Sequence, residues 1–310
     1  MWGELRAQDV VVTGRVLYGP AGRPLGNAWV VLHAVSQGGG RPIDSTRTDD
    51  RGGYRLTIRH PDSSAIYIVS SRRAGIAYFS EPVPRDGGAG GRTGRTGRTS
   101  LSPLYVYDTS STGPAIRLSR RLVTVARVKR DGTRDVLELI ELENPGSATR
   151  IAADTLRPTW VGAIPRDAIQ FRVGQGDVSP QAVALQGDSV SVYGPLPPRE
   201  RKQLSYAYVL PATVRRLDLL IDQGTDEVDL LLEDTTAVVT TGKLDSLGIE
   251  TLGGRRFARY RSTVLTAGAP LAIVFRERQF SPEVVVPWVV GVTALVLVVG
   301  FVVAMRRRPS

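Results

Sequence analysis

The chain has 310 residues, a formal net charge of +10, no cysteine and two histidines, His33 and His60. Without cysteine, thiol catalysis, disulfides and cysteine-based zinc sites are excluded, and a histidine-dependent mechanism has few places to sit. The charge does not draw a nucleic-acid groove: residues 1–84 carry +3, residues 85–102 another +3, residues 103–283 only +1, and three arginines follow near the C-terminus. Much of the excess therefore sits in one loop and one tail, and nucleic acid is not an expected partner.

In chain order, MWGELRAQDVVV opens the sequence without the apolar core of a secretory leader,. Next comes VVVTGRVLYG, then a GPAGRP turn, then NAWVVLHAV, in which Ala28, Val30 and Leu32 share one face at period two,. TDDRGGYRLTI, AIYIVSS and IAYFSEPV continue the series of short apolar runs bounded by turn residues. No helical stripe separates them, so residues 9–108 are expected to form an all-β sandwich.

The order and spacing of GRV (Gly14–Val16), GRPLGNAWVVL (Gly22–Leu32) and TDDRGGYRL (Thr48–Leu56) resemble the carboxypeptidase regulatory-like domain, over about a third of the chain. The resemblance implies a transthyretin-like β-sandwich, related to carbohydrate-binding folds, with an accessory rather than a peptidase role. Gly22 and Pro24 would shape a hairpin turn, and Ala28, Val30 and Leu32 would fill the core. Asp49 and Gly52 would shape the turn before the strand that carries Tyr54. That turn departs from a calcium loop, because Arg51 stands where an acid or amide ligand is wanted,. It departs from a phosphate cradle as well, because YRLTI reads as strand rather than helix.

Residues 85–102, RDGGAGGRTGRTGRTSLS, are too rich in Gly, Ser and Thr for a core and predict a flexible surface loop,. From 116 to 276 the runs RLVTVARVKR, DVLELIELEN, DSVSVYGPL, KQLSYAYVL, VDLLLED and PLAIVF, with PG, GQGD, PLPP and LGG between them, predict a second extracytoplasmic β-sandwich,. LPPRERKQLSYAYVLP also resembles a stretch of bacterial envelope proteins that carries no assigned chemistry.

Residues 284–305 form an uncharged run of 22, VVVPWVVGVTALVLVVGFVVAM. As a helix it would be roughly 33 Å long, enough for a hydrocarbon core of about 30 Å. Trp288 suits the headgroup interface, and Pro287 falls in the first turn,. Arg306, Arg307 and Arg308 in the basic tail 306–310 predict a cytoplasmic C-terminus,. The expected protein is thus single-pass in a bacterial cell membrane, with its N-terminal region in the periplasm or at the surface. A signal peptide is then expected upstream of Met1.

The histidines belong to no H-E-x-x-H or H-x-x-E pattern, no G-x-S-x-G elbow occurs, and no phosphate-loop motif occurs,. The expected fold is all-β, two β-sandwiches followed by one transmembrane helix. The expected role is non-catalytic binding or scaffolding, with no cofactor or metal, as an accessory subunit of an envelope complex. The alternative is surface carbohydrate binding, for which Trp29 and Tyr54 are the candidate stacking aromatics and Tyr67, Tyr78 and Phe79 the others available.

Overall fold

The computed structural model describes residues 9–84, 97–240 and 244–276. The predicted membrane segment 284–305, the tail with Arg306, Arg307 and Arg308, and residues 85–96 of the predicted loop lie outside these. Among the described residues no helix is long and apolar enough to cross a membrane. The described fold is all-β with several sheets, and the only helical element described is one 3-10 turn, Pro180–Ala182.

In the N-terminal part, strand Val10–Tyr18 is the hub of one sheet. It pairs antiparallel with Gly53–Ile58 and Arg23–Pro24, and parallel with Arg98–Ser100 and Leu104–Val106. A second, antiparallel sheet runs Gly39–Arg47, Trp29–Ser36, Ile66–Arg73, Ile76–Phe79. Period-two alternation sends Val12, Val16, Leu56 and Ile58 from the first sheet, and Val30, Leu32, Val69 and Tyr78 from the second, into one core,.

The loop expectation needs correction at its C-terminal end. Residues 98–100 are a strand, in register with Val11, Val12 and Thr13, and Thr99 is fully buried. Composition alone reads this RTG repeat as featureless. An extended neighbour with unpaired backbone groups turns it into a ladder rung.

The C-terminal part is built on a seven-stranded sheet. Its order is Ile169–Val173, Arg201–Leu210, Arg134–Glu143, Arg117–Val125, Thr225–Leu232, Arg255–Ser262, Asp245–Leu252, and only the contact of Arg117–Val125 with Thr225–Leu232 is parallel. Two three-stranded sheets contribute to the same core: Trp160–Ala163, Ser189–Val192 and Val183–Gln186, and then Arg216–Leu220, Pro270–Val274 and Val238–Val239. A bulge between Leu118 and Arg120 resets the phase of its strand,. Beyond it Arg121, Val123 and Val125 are buried, while Arg120, Leu122 and Thr124 are half-buried on the other face.

The two parts touch through side chains with fixed geometry. Tyr78 and Thr149 share a hydroxyl hydrogen bond of 2.7 Å, and Tyr78 also donates to the Tyr107 carbonyl at 3.0 Å. Arg199 donates to the Pro20 carbonyl at 2.9 Å, and its guanidinium lies 4.6 Å from the Tyr105 ring centre.

Candidate binding face

The sheet Gly39–Arg47, Trp29–Ser36, Ile66–Arg73, Ile76–Phe79 buries one face, so the alternate positions must meet solvent. Those positions are unusually apolar. Trp29 is 51% exposed, Ile66 49% and Phe79 56%, and half-buried Val31, Val35 and Ile68 lie among them. Register places Val31, Ser70 and Phe79 in one cross-strand row, with His33 beside Ile68 and Val35 beside Ile66. Arg47 is stacked 5.4 Å from the Trp29 ring centre and is itself tied to Asn27 Oδ1 at 2.9 Å, which holds the indole in place,. His33 Nε2 meets Ser70 Oγ at 2.8 Å, and its ring centre lies 6.3 Å from that of Phe79. Phe79 also borders a cleft of about 260 Å³ between the two parts, lined across from it by Val178, Pro197, Glu200 and Lys202.

The two aromatics singled out in the sequence are not brought together. Trp29 lies on the open face, whereas Tyr54 is in the core, and burial pushes its phenol up to about 12. A surface role for Tyr54 is therefore corrected. Its strand pairs with Val10–Tyr18 in the opposite layer, and its ring fills the space left by Gly14, where a Cβ would come within 2.3 Å of the hydroxyl. Tyr67 and Tyr78 are buried as well. Phe79 is the aromatic that accompanies Trp29 on this face, and the alternation of IAYF, with Tyr78 inward, was the available signal.

The TDDRGG stretch is a tight turn. Asp49 Oδ1 accepts from the backbone N–H groups of Arg51 at 2.9 Å and Gly53 at 2.7 Å. Gly52 has φ +74°, and a Cβ there would fall 2.4 Å from the Val16 carbonyl oxygen,.

Carboxylates are the other chemistry to place, and the most buried ones are engaged by arginines. Asp229, on the outer face of the seven-stranded sheet, accepts from Arg261 Nε at 2.9 Å and Arg120 Nη2 at 3.0 Å, with Arg259 at 3.4 Å. Burial raises its pKa, but these hydrogen bonds and the charges of Arg261 and Arg259 outweigh that and hold it at about 2,. Glu233 is clasped by Nε and Nη2 of Arg255 and by the backbone N–H of Arg127, and the Arg255 hydrogen bond leads in keeping it below the usual carboxylate range.

Glu138, with no exposed surface, accepts from Arg121 Nε at 2.8 Å, Tyr208 Oη at 2.9 Å and Tyr206 Oη at 3.2 Å. Arg121 also donates to the Leu220 carbonyl at 2.9 Å. Burial drives both tyrosines well above their ordinary values, so they remain donors. This constellation was missed in the sequence, because its members come from three strands. Among the described residues no three His, Asp or Glu side chains converge where they could hold a metal ion.

No family model matches the chain, and no curated protein matches it. Among solved structures, the 9R-lipoxygenase from Cyanothece PCC8801 is similar at 14% identity over 33% of this chain and 17% of that one, with a TM-score of 0.23. The M1 zinc metallopeptidase from Deinococcus radiodurans is similar at 9% identity over 53% of this chain and 43% of that one, with a TM-score of 0.34. This chain thus spans less than half of either. The full-length major pilin SpaD from Corynebacterium diphtheriae is similar at 10% identity over 85% of this chain and 84% of that one, with a TM-score of 0.24. All three scores are too low to carry a fold or an activity across.

Proposed function

We propose that the chain is a non-catalytic bacterial envelope protein that binds and scaffolds a protein partner through the Trp29–Phe79 face, as an accessory subunit of a membrane complex. In this reading two extracytoplasmic β-sandwiches, 9–108 and 116–276, are held by a transmembrane helix at 284–305 with Arg306, Arg307 and Arg308 in the cytoplasm. The first is a carboxypeptidase regulatory-like, transthyretin-like domain. Its support is the two sheets closed on one core and the work done at motif positions, where Gly14 admits Tyr54 and Asp49 with Gly52 closes the turn. The helix rests on the length and uniform apolarity of the run,.

The observation that carries a binding role is the exposed Trp29, Phe79 and Ile66 set among half-buried aliphatics, with Arg47 and Arg72 exposed around it. Aromatic and aliphatic anchors with an arginine rim are the composition of a protein interface. A glycan platform is the second reading, favoured by the two exposed rings alone, and would draw its polar contacts from His33 and Arg47.

The test is photo-crosslinking of the full chain in native membranes, with the crosslinker at Phe79 or Ile66 and a control at Leu156, which is 85% exposed elsewhere. One discrete protein adduct from the face positions, absent from the control and lost with Trp29→Ala, supports the protein reading. Glycan-array binding that is lost with Trp29→Ala or Phe79→Ala while the fold persists promotes the second reading. Neither signal, from a protein that is folded and in the membrane, overturns the binding role of this face.

A further inference from the structure

At the end of the C-terminal part, the chain's last described residues leave beside a basic recess. Phe275 is buried and its N–H donates to the Arg215 carbonyl at 2.9 Å, so the exit point is pinned. Around it, Arg127, Lys129, Arg130, Arg134, Arg215 and Arg276 line a recess of about 410 Å³, and Asp234 is its one acidic lining residue among the described residues. Some of this charge is used internally. Arg134 bonds Asp234 at 3.3 Å and lies 4.0 Å from the Phe275 ring centre, and Lys129 pairs with Asp135 at 2.6 Å. Arg127 donates to the Glu233 carbonyl at 3.2 Å.

Arg130, Arg215 and Arg276 are exposed, and no ion pair to another described residue engages them. Asp131, on the same turn as Arg130, bonds Thr133 instead, at 2.7 Å. Burial leads in lowering the pKa of Arg134, Asp234 opposes this, and the charge of Arg215 adds to the lowering.

The position of this recess decides what faces it. Only residues 277–283 separate Arg276 from the apolar run that begins at Val284. At no more than about 3.6 Å per residue they span at most about 25 Å, so a helix inserted from 284 keeps the recess within reach of the bilayer surface. We infer that this end of the protein docks on anionic phospholipid headgroups, with Arg130, Arg215 and Arg276 meeting lipid phosphates and fixing how the β-domains stand on the membrane. The inference rests on the membrane-anchored reading above. Multiple cations held against a surface bind cooperatively through one tether, since each further contact is intramolecular.

The test uses the full chain in nanodiscs of phosphatidylcholine alone or mixed with phosphatidylglycerol, read by amide hydrogen exchange at 128–132 and 212–216. Docking slows exchange there at least about tenfold on the mixed discs relative to phosphatidylcholine. High salt and the Arg130→Glu/Arg215→Glu variant, whose thermal transition is checked first, abolish the difference. Equal exchange on both discs, from a chain that resists alkaline extraction, overturns the docking while the anchor stands. A chain released by alkaline extraction sinks the anchor reading instead. Flotation of that chain with phosphatidylglycerol vesicles then decides the recess: binding lost in the variant supports it, and no binding overturns it.

Discussion

Replacing Glu138 by glutamine removes one charge from the most enclosed ion pair among the described residues. Arg121 and Glu138 are 4% and 0% exposed at their side chains, 2.8 Å apart, and the carboxylate also takes both tyrosine hydroxyls. The Glu138→Gln carboxamide keeps one acceptor oxygen, turns its N–H groups toward a hydroxyl that was donating, and leaves the guanidinium with neutral acceptors such as the Leu220 carbonyl and no counter-charge. Removing one partner of a buried pair costs about 3–5 kcal/mol, because a charge is left uncompensated in low dielectric. For a folding unit of this size each kcal/mol lowers the melting temperature by roughly 2–4 °C, so the C-terminal transition should fall by about 6–20 °C.

Differential scanning calorimetry of the purified protein measures this. A second variant separates lost charge from lost packing. In Arg121→Met/Glu138→Leu/Tyr206→Phe/Tyr208→Phe the charges and the hydroxyls go together, the Leu220 carbonyl that loses its donor belongs to an exposed residue, and stability should return to within about 1–2 kcal/mol of the wild type or exceed it. A Glu138→Gln protein melting within about 1 kcal/mol of the wild type would refute the reasoning, since it would mean the core is wet enough to screen Arg121.

Three further outcomes are expected. Gly52→Ala should destabilise the N-terminal part by more than about 1 kcal/mol in urea denaturation, because a Cβ at positive φ also strikes the Val16 carbonyl,. Tyr54→Phe should be neutral or stabilising by about 1 kcal/mol, since the Tyr54 hydroxyl is buried with no hydrogen-bond partner among the described residues,; clear destabilisation by the same assay counts against that placement. Asp229 has a folded pKa of about 2, below its unfolded value. Its contribution is therefore complete above about pH 4 and is lost as the pH falls toward 2, so wild-type and Asp229→Asn melting curves should converge across that window. A gap that stays constant to the acid end would show that the arginines around Asp229 do not depress its titration.

Much of the strand content was legible because local rules settle it. The alternation of Ala28, Val30 and Leu32 against Trp29, Val31 and His33 is a property of six consecutive residues, and it placed Trp29 on the outside before any neighbour was known,. The TDDRGG turn is local too: Asp49 bonds N–H groups two and four residues on, and Gly52 supplies the positive φ. The lack of cysteine is likewise a complete statement about thiol chemistry within this sequence.

Non-local partners decided the rest. Tyr54 and Phe79 look alike as strand aromatics, yet one fills the gap above Gly14, its cross-strand partner, and the other stands in solvent at the cleft. Arg98–Ser100 became strand because Val10–Tyr18 offers it a ladder, information that an RTG repeat does not contain. In DVLELIELE either set of alternate residues could face the core. Glu138 turns inward only because Arg121, Tyr206 and Tyr208, 17 to 70 residues away along the chain, supply the hydrogen bonds that a buried carboxylate requires,. Periodicity fixes which residues share a face. Which face is buried, and what meets a charge there, depends on pairings that form only when the sheets close.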